Sequence, residues 1–203
     1  MSHLHIPDGI LPLWLWLGGF CVFVIILTLA LWQLRRRDAI KKMPFLGAVT
    51  ALMVIGMSFP VAPIFYHLNF SVLAGIVLGP TLGILAVFLS NFILAFFAHG
   101  GITVIGLNSL ILVFEVAVGW FLFKYAFRFF GGAVFFRGFS ATVATLVFST
   151  FLAIGIVTLG DVDWRRFAEA SLALGSFGWL IEGLIIGFII SYLKKTKTEI
   201  FDF

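Results

Sequence analysis

Charged residues are scarce in this chain of 203 residues, which has 13 Lys and Arg, 9 Asp and Glu, and a charged share of 11%. Soluble globular domains carry about 25% charged residues, so the composition excludes that class. Hydrophobic residues make up 62%, and apolar runs long enough to cross a bilayer recur along the sequence. The sequence therefore predicts an all-α integral membrane protein, with one membrane domain over residues 1–203.

Several chemical features are also missing. Cys21 is the single cysteine, so no disulfide can form within the chain. The sequence has no Walker A motif, no His-Glu-x-x-His and no Gly-x-Ser-x-Gly. We therefore expect that the chain is not an enzyme and does not hydrolyse ATP by itself. Its net charge of +4 does not indicate nucleic acid as a partner, because the basic residues cluster at the predicted membrane edges.

Apolar runs and breaking residues predict about seven transmembrane helices. The predicted segments cover residues 11–34, 43–59, 70–79, 81–98, 104–127, 139–159 and 168–193. The third and fourth are separated at Gly79-Pro80, where one kinked helix is the alternative to two.

The distribution of basic residues predicts the orientation. With the N-terminus outside and the C-terminus cytoplasmic, only Arg165 and Arg166 of the 13 basic residues fall on the outer side. The outer face then receives residues 1–12, 60–69, 99–108 and 161–166. All 4 histidines of the chain, His3, His5, His67 and His99, lie in these outer segments.

The start of the chain, Met1-Ser2-His3, has the donors of a metal chelate. A free amine, deprotonated backbone nitrogens and the imidazole of His3 can surround a divalent ion in a plane, which favours Ni(II) or Cu(II). If Met1 is removed, the Ser2 amine leaves one planar position open, and a histidine from another loop, such as His67, can fill it. The alternative is that these histidines, and His67 and His99 with them, are interfacial residues without a metal.

Two acidic residues, Glu115 and Glu182, fall inside predicted spans. Carboxylates at such depth are costly and usually face the protein interior. They could form a proton or metal relay, or be neutral acids that are hydrogen-bonded between helices. An intramembrane enzyme that uses either residue is a further alternative.

The block His5-Ile6-Pro7-Asp8-Gly9 resembles the N-terminal signature of the CbiM/NikM family. Phe59-Pro60-Val61-Ala62-Pro63 with His67, Leu78-Gly79-Pro80, and Gly100-Gly101-Ile102-Thr103 with Gly106-Leu107-Asn108 are similar to further blocks of that family. The family comprises the substrate-binding membrane subunits of energy-coupling-factor (ECF) importers for cobalt and nickel. The resemblance implies a multi-pass protein of a prokaryotic cell membrane, with Ni²⁺ or Co²⁺ as transported substrate and a link to cobalamin biosynthesis. A vitamin-binding subunit of the same importer type is the alternative function.

The resemblance also implies a planar nitrogen site, built from the N-terminal amine, an adjacent histidine and a loop histidine. The loop histidine corresponds to His67. The motif places the N-terminal ligand at His5, but three extra residues precede the motif and include His3. The site therefore uses His5 and His67 with His3 or the amine, or it has moved to Met1, Ser2 and His3. His99 is the weakest candidate.

The importer type implies separate partner chains: a coupling transmembrane subunit, two ATPase subunits and a small accessory membrane subunit. This chain would bind no ATP. Gly47 and Ala51, a small-residue pair near the predicted cytoplasmic edge, are the candidate contact with the coupling subunit.

The predicted orientation can be tested with single cysteines in a Cys21→Ser background. A cysteine at Asp163 should react with a membrane-impermeant maleimide in intact cells, and one at Lys195 should react only after permeabilisation, because they lie on opposite faces. Labelling of both from outside would contradict the orientation.

Overall fold

The computed structural model describes residues 6, 8–9, 11–34, 42–61, 66–97, 101–130, 133–160 and 163–196. Within these ranges the chain is helical throughout, apart from loops and one isolated β-bridge between Val61 and Tyr66. The predicted all-α membrane fold is confirmed. Its orientation stays a prediction.

Seven α-helices form the described part of the chain. They are α1 (Leu13–Leu34), α2 (Met43–Ser58), α3 (Ser71–Leu78), α4 (Pro80–Phe96), α5 (Ile105–Lys124), α6 (Val134–Val157) and α7 (Trp164–Thr196). A short 3-10 helix, Ala126–Phe130, follows α5. Four segments, α1, α5 with its 3-10 extension, α6 and α7, are long and apolar enough to span a bilayer. Both α6 and α7 begin earlier than the sequence predicts, at Val134 and Trp164.

The Gly79-Pro80 break separates two helices, so the alternative of one kinked helix is wrong. Gly79 adopts a φ of 78°, a backbone conformation that residues with a Cβ disfavour. Pro80 can start α4 because the N–H that proline lacks would have no partner within the helix at this position. A Cβ at Gly83 would lie 3.5 Å from the backbone of Ala74, so α4 folds back along α3.

The eight-residue α3 lies at the centre of the protein. At about 1.5 Å per residue it is only about 12 Å long, too short to cross a bilayer alone. All of its residues are buried. Gly75 allows its close approach to α5, because a Cβ there would overlap the Val116 carbonyl. The helix is therefore an internal element, held by its neighbours on all sides.

Large apolar side chains cover much of the outer surface. Trp14, Ile25, Phe148 and Phe188 are more than half exposed. Such a surface fits a lipid environment. Apolar side chains that face lipid are already out of water, so the hydrophobic effect does not drive them toward the protein interior.

Candidate metal site

His67 lies in a short non-helical segment between α2 and α3, in which Tyr66 and Phe70 flank it. The Val61 N–H donates a hydrogen bond to the Tyr66 carbonyl at 2.7 Å, which closes the loop before His67. Tyr66 and Phe70 are buried, whereas His67 is half-buried. The segment therefore has a fixed backbone and a histidine side chain that is partly accessible.

Glu182 of α7 binds the backbone of this segment. Its Oε1 accepts a hydrogen bond from the Phe70 N–H at 2.9 Å, and its Oε2 accepts one from the Asn69 N–H at 3.3 Å. Glu182 is fully buried. Phe70, the residue before α3, has a φ of 54° and contributes no side-chain cap. The carboxyl group of a distant helix thus accepts the two N–H groups that directly precede α3.

Glu115 of α5 binds the same segment through side chains. Its Oε2 accepts a hydrogen bond from Asn69 Nδ2 at 2.8 Å and also contacts Ser71 Oγ. Asn69 Oδ1 in turn accepts a hydrogen bond from the Ser71 N–H at 2.9 Å. Both glutamates therefore converge on Asn69, two residues after His67. Of the alternatives for these acids, hydrogen bonding between helices is what the structure shows.

The N-terminal segment is attached to the first turn of the same helix, α5. The Ile6 N–H donates to Asn108 Oδ1 at 2.9 Å, and Asn108 Nδ2 donates to the Ile6 carbonyl at 3.0 Å. Ile6 is fully buried beside Leu107 and Ile111. This paired contact fixes the peptide that directly follows His5.

Asp8 provides a second attachment, to the residues that precede α5. Its carboxylate accepts hydrogen bonds from the N–H groups of Ile102 and Thr103, each at 3.0 Å, and from the Thr103 hydroxyl. A Cβ at Gly101 would overlap this carboxylate, so the glycine is needed for the contact. Burial raises the pKa of Asp8, but the hydrogen bonds from Thr103 and Ile102 outweigh it, and the net pKa lies below its ordinary value.

One face of α5 brings the two attachments together. Asn108 and Glu115 are seven positions apart, which is two helical turns, so they lie on the same face. The rise between them is about 10 Å. The N-terminal segment and the His67 segment therefore lie along one stripe of α5.

The structure describes only one of the predicted metal-site residues. His67 is in the described part of the chain, whereas Met1, Ser2, His3, His5 and His99 lie outside it. Ile6 and Gly101, which lie close in sequence to His5 and His99, are both held at the N-terminal end of α5. Within the described ranges, no group of three or more His, Cys, Asp or Glu residues could hold a metal ion. The metal-ligand set stays a prediction.

Sequence reasoning missed the residues that support these segments. Asp8, Asn69, Ser71 and Asn108 are not among the predicted site residues. A signal existed for Asp8, since it lies inside the Ile6-Pro7-Asp8-Gly9 block. For Asn69 and Ser71 the only signal was their polarity at the edge of an apolar run.

A model of the cobalt uptake substrate-specific transmembrane region, CbiM, matches residues 5–200. This chain belongs to the CbiM family. The cobalt transport protein CbiM of Sorangium cellulosum is 31% identical, over 98% of this chain and 95% of that protein. A protein named as a fused nickel transport protein, NikMN, of Archaeoglobus fulgidus is 26% identical, over 98% of this chain and 68% of that protein.

Two solved structures share the fold of this CbiM-family chain. A transition metal transporter and a truncated transition metal transporter each superpose with a TM-score of 0.78 at 20% identity. They cover 96% and 95% of this chain, and 94% and 99% of their own lengths. The expected family is confirmed, and the chain is a multi-pass membrane protein of a cobalt and nickel transport family.

Replacing Asp8 by Ala should release the N-terminal segment, because three hydrogen-bond donors at residues 102 and 103 lose their acceptor. Amide exchange of residues 101–104 should accelerate about tenfold, as measured by hydrogen–deuterium exchange with mass spectrometry. In the unmodified protein the protection should persist from neutral pH to below 3.8, the ordinary pKa, and be lost as the pH falls through the lowered value.

Asp163→Ala is the matched control, because its carboxylate forms an exposed ion pair with Arg166 at 3.1 Å and touches no part of this site. Equal exchange rates in both variants would contradict the anchoring role of Asp8.

Proposed function

We propose that this chain captures Ni(II) or Co(II) at the outer face of the membrane and delivers it inward as the metal-binding subunit of an ECF-type ABC importer. The observation that carries the proposal is the attachment of two histidine-bearing segments to one face of α5. Asn108 holds the peptide after His5, and Glu115 holds the segment that contains His67. The CbiM family and the relatives named as cobalt and nickel transport proteins support the same ions.

The donor chemistry fits such a substrate. Imidazole, amine and backbone nitrogens suit late first-row divalent metals. A planar arrangement of these nitrogens favours Ni(II) over Co(II). His67 would supply one nitrogen, and the N-terminal segment, with His5, His3 and the terminal amine, would supply the others. Binding should weaken in acid, since every one of these nitrogens must be deprotonated to bind.

A vitamin-binding subunit of the same importer type has less support. A cavity of about 420 Å³ lies between α1, α4 and α5, and its lining includes Phe20, Phe88 and Phe92. Ser109 is the polar residue in this lining. A polar vitamin would leave its hydrogen-bonding groups unpaired there, so the cavity does not favour this function.

Transport would proceed by ATP-driven reorientation of this chain against separate partner subunits. Gly47 and Ala51 are both exposed on α2, and within the described part of the chain a Cβ at Gly47 would meet nothing within 4 Å. An open small-residue patch of this kind allows another helix to approach closely. It is the surface at which we place the coupling transmembrane subunit.

Replacing His67 by Ala should weaken Ni(II) and Co(II) binding by at least a hundredfold, because a planar site would lose one of its nitrogen donors. The measurement is calorimetric titration of the purified full chain in nanodiscs. Extending the N-terminus by two residues should also weaken binding, since it displaces the amine. His99→Ala should have a smaller effect. Unchanged affinity in the His67 variant would refute the proposed site.

Replacing Gly47 by Leu should reduce co-purification with the coupling subunit several-fold, because the bulky side chain prevents close helix approach. Metal binding by the isolated chain should not change. Gly155→Leu is the matched control, since Gly155 is also exposed and unobstructed but lies on α6. Loss of the complex in both variants, or in neither, would contradict the assignment.

A further inference from the structure

The position of the His67 side chain depends on a short run of backbone, residues 66–70, that belongs to no helix. A ligand that is displaced by about 1 Å binds a metal poorly, so such a segment needs rigid support. Three of its hydrogen bonds come from two helices that are distant in sequence. The residues that supply them are therefore candidates for setting the metal affinity.

Glu182 supports the segment through both of its oxygens. Each oxygen accepts one of two successive N–H groups, at 3.3 Å from Asn69 and 2.9 Å from Phe70. These donors lie at the N-terminus of α3, where the helix dipole favours a negative charge. A carboxylate is an acceptor at both oxygens, whereas an amide has only one acceptor and would point a donor at one N–H.

Glu115 supports the same segment through one oxygen only. Its Oε2 accepts hydrogen bonds from Asn69 and Ser71, and the Ser149 hydroxyl lies within hydrogen-bonding reach of the same carboxyl group. An amide at this position can place its oxygen at Oε2 and keep both contacts. The two glutamates therefore differ in a way that one substitution can test.

Tyr66, which directly precedes His67, is fixed against α7, the helix that carries Glu182. Its ring packs on Gly178, where a Cβ would overlap it. Gly178 lies one turn before Glu182 on α7. The backbone on both sides of His67 is thus held by one face of α7.

We propose that Glu182 is a positioning residue for metal binding: its carboxylate clamps the Asn69 and Phe70 backbone and holds the imidazole of His67 where the ion binds, with Glu115 supporting the clamp through Asn69. This inference rests on the proposed metal-binding function. Neither glutamate touches the ion in this role. Their buried carboxyl groups shape a loop and do not bind the substrate or react with it.

The test compares Glu182→Gln with Glu115→Gln in the purified full chain in nanodiscs. Ni(II) affinity should fall about tenfold or more in Glu182→Gln, because one N–H then faces a donor. It should fall less in Glu115→Gln, because the amide keeps an acceptor at the Oε2 position. The ligand-field absorption of bound Ni(II) should shift or broaden more in the Glu182 variant. Thr142→Val is the control variant. It removes a buried hydroxyl whose hydrogen bond stays within its own helix, α6.

The alternatives give different results. If Glu182 is merely structural, its variant will melt earlier but keep the affinity and absorption spectrum of the unmodified protein, and the proposal is overturned. Equal losses in both glutamine variants would also overturn it. If the unmodified chain binds neither Ni(II) nor Co(II), the proposed function itself has failed, which is a distinct result.

A second measurement covers the case in which Glu182→Gln does not fold. The Asn69 and Phe70 amides of the unmodified, metal-free protein should exchange slowly with deuterium, because Glu182 already holds them. Exchange as fast as in an unstructured peptide, slowed only by added Ni(II), would show that the metal orders the segment and would overturn the clamp.

Discussion

The rest of this structure depends on one hydrogen-bonded arrangement, the binding of the Asn69 and Phe70 N–H groups by the carboxylate of Glu182. In an apolar environment a backbone break is tolerated only where its polar groups are satisfied internally. The chain breaks between α2 and α3, and locally Asn69 Oδ1 accepts only the Ser71 N–H. The carboxyl group of Glu182 accepts the two N–H groups before it, at the cost of burying a polar group. This cost is offset only while the Glu182 carboxyl group stays within hydrogen-bonding distance of the two N–H groups. The contact therefore couples the position of α7 to that of α3.

Close helix packing allows this contact to form. Gly75 and Gly178 each leave room for a group that any larger residue would displace, the Val116 carbonyl and the Tyr66 ring respectively. The short α3 is thereby pressed against α5, and Tyr66 against α7. Small residues at helix interfaces give dispersion contacts where the hydrophobic effect cannot drive association. At Gly47 a Cβ would meet no other described residue within 4 Å, which is why we assign this glycine to a contact between subunits.

The candidate metal site follows from α5. Its Asn108 and Glu115 hold two separate segments, one next to His5 and one that contains His67, through side chains that are themselves buried. A chain in a cobalt and nickel transport family needs ligands that are ordered enough to select an ion, yet close enough to the surface to receive it. For His67, the ligand that we propose, support of its segment by α5 and α7 and its half-burial would meet both needs.

The class of fold, most helix boundaries, the break at Gly79-Pro80 and the family could be predicted from the residue pattern, because hydropathy and breaking residues act locally and the N-terminal block is distinctive. The pattern also indicated His67, and it identified Glu115 and Glu182 as costly groups without their partners. Those partners follow from the packing of the helices. Glu182 meets backbone groups 112 and 113 positions away, and Ile6 meets Asn108 across 102 positions. Backbone N–H groups have no sequence signature, and contacts at such separations are set by how seven helices pack together.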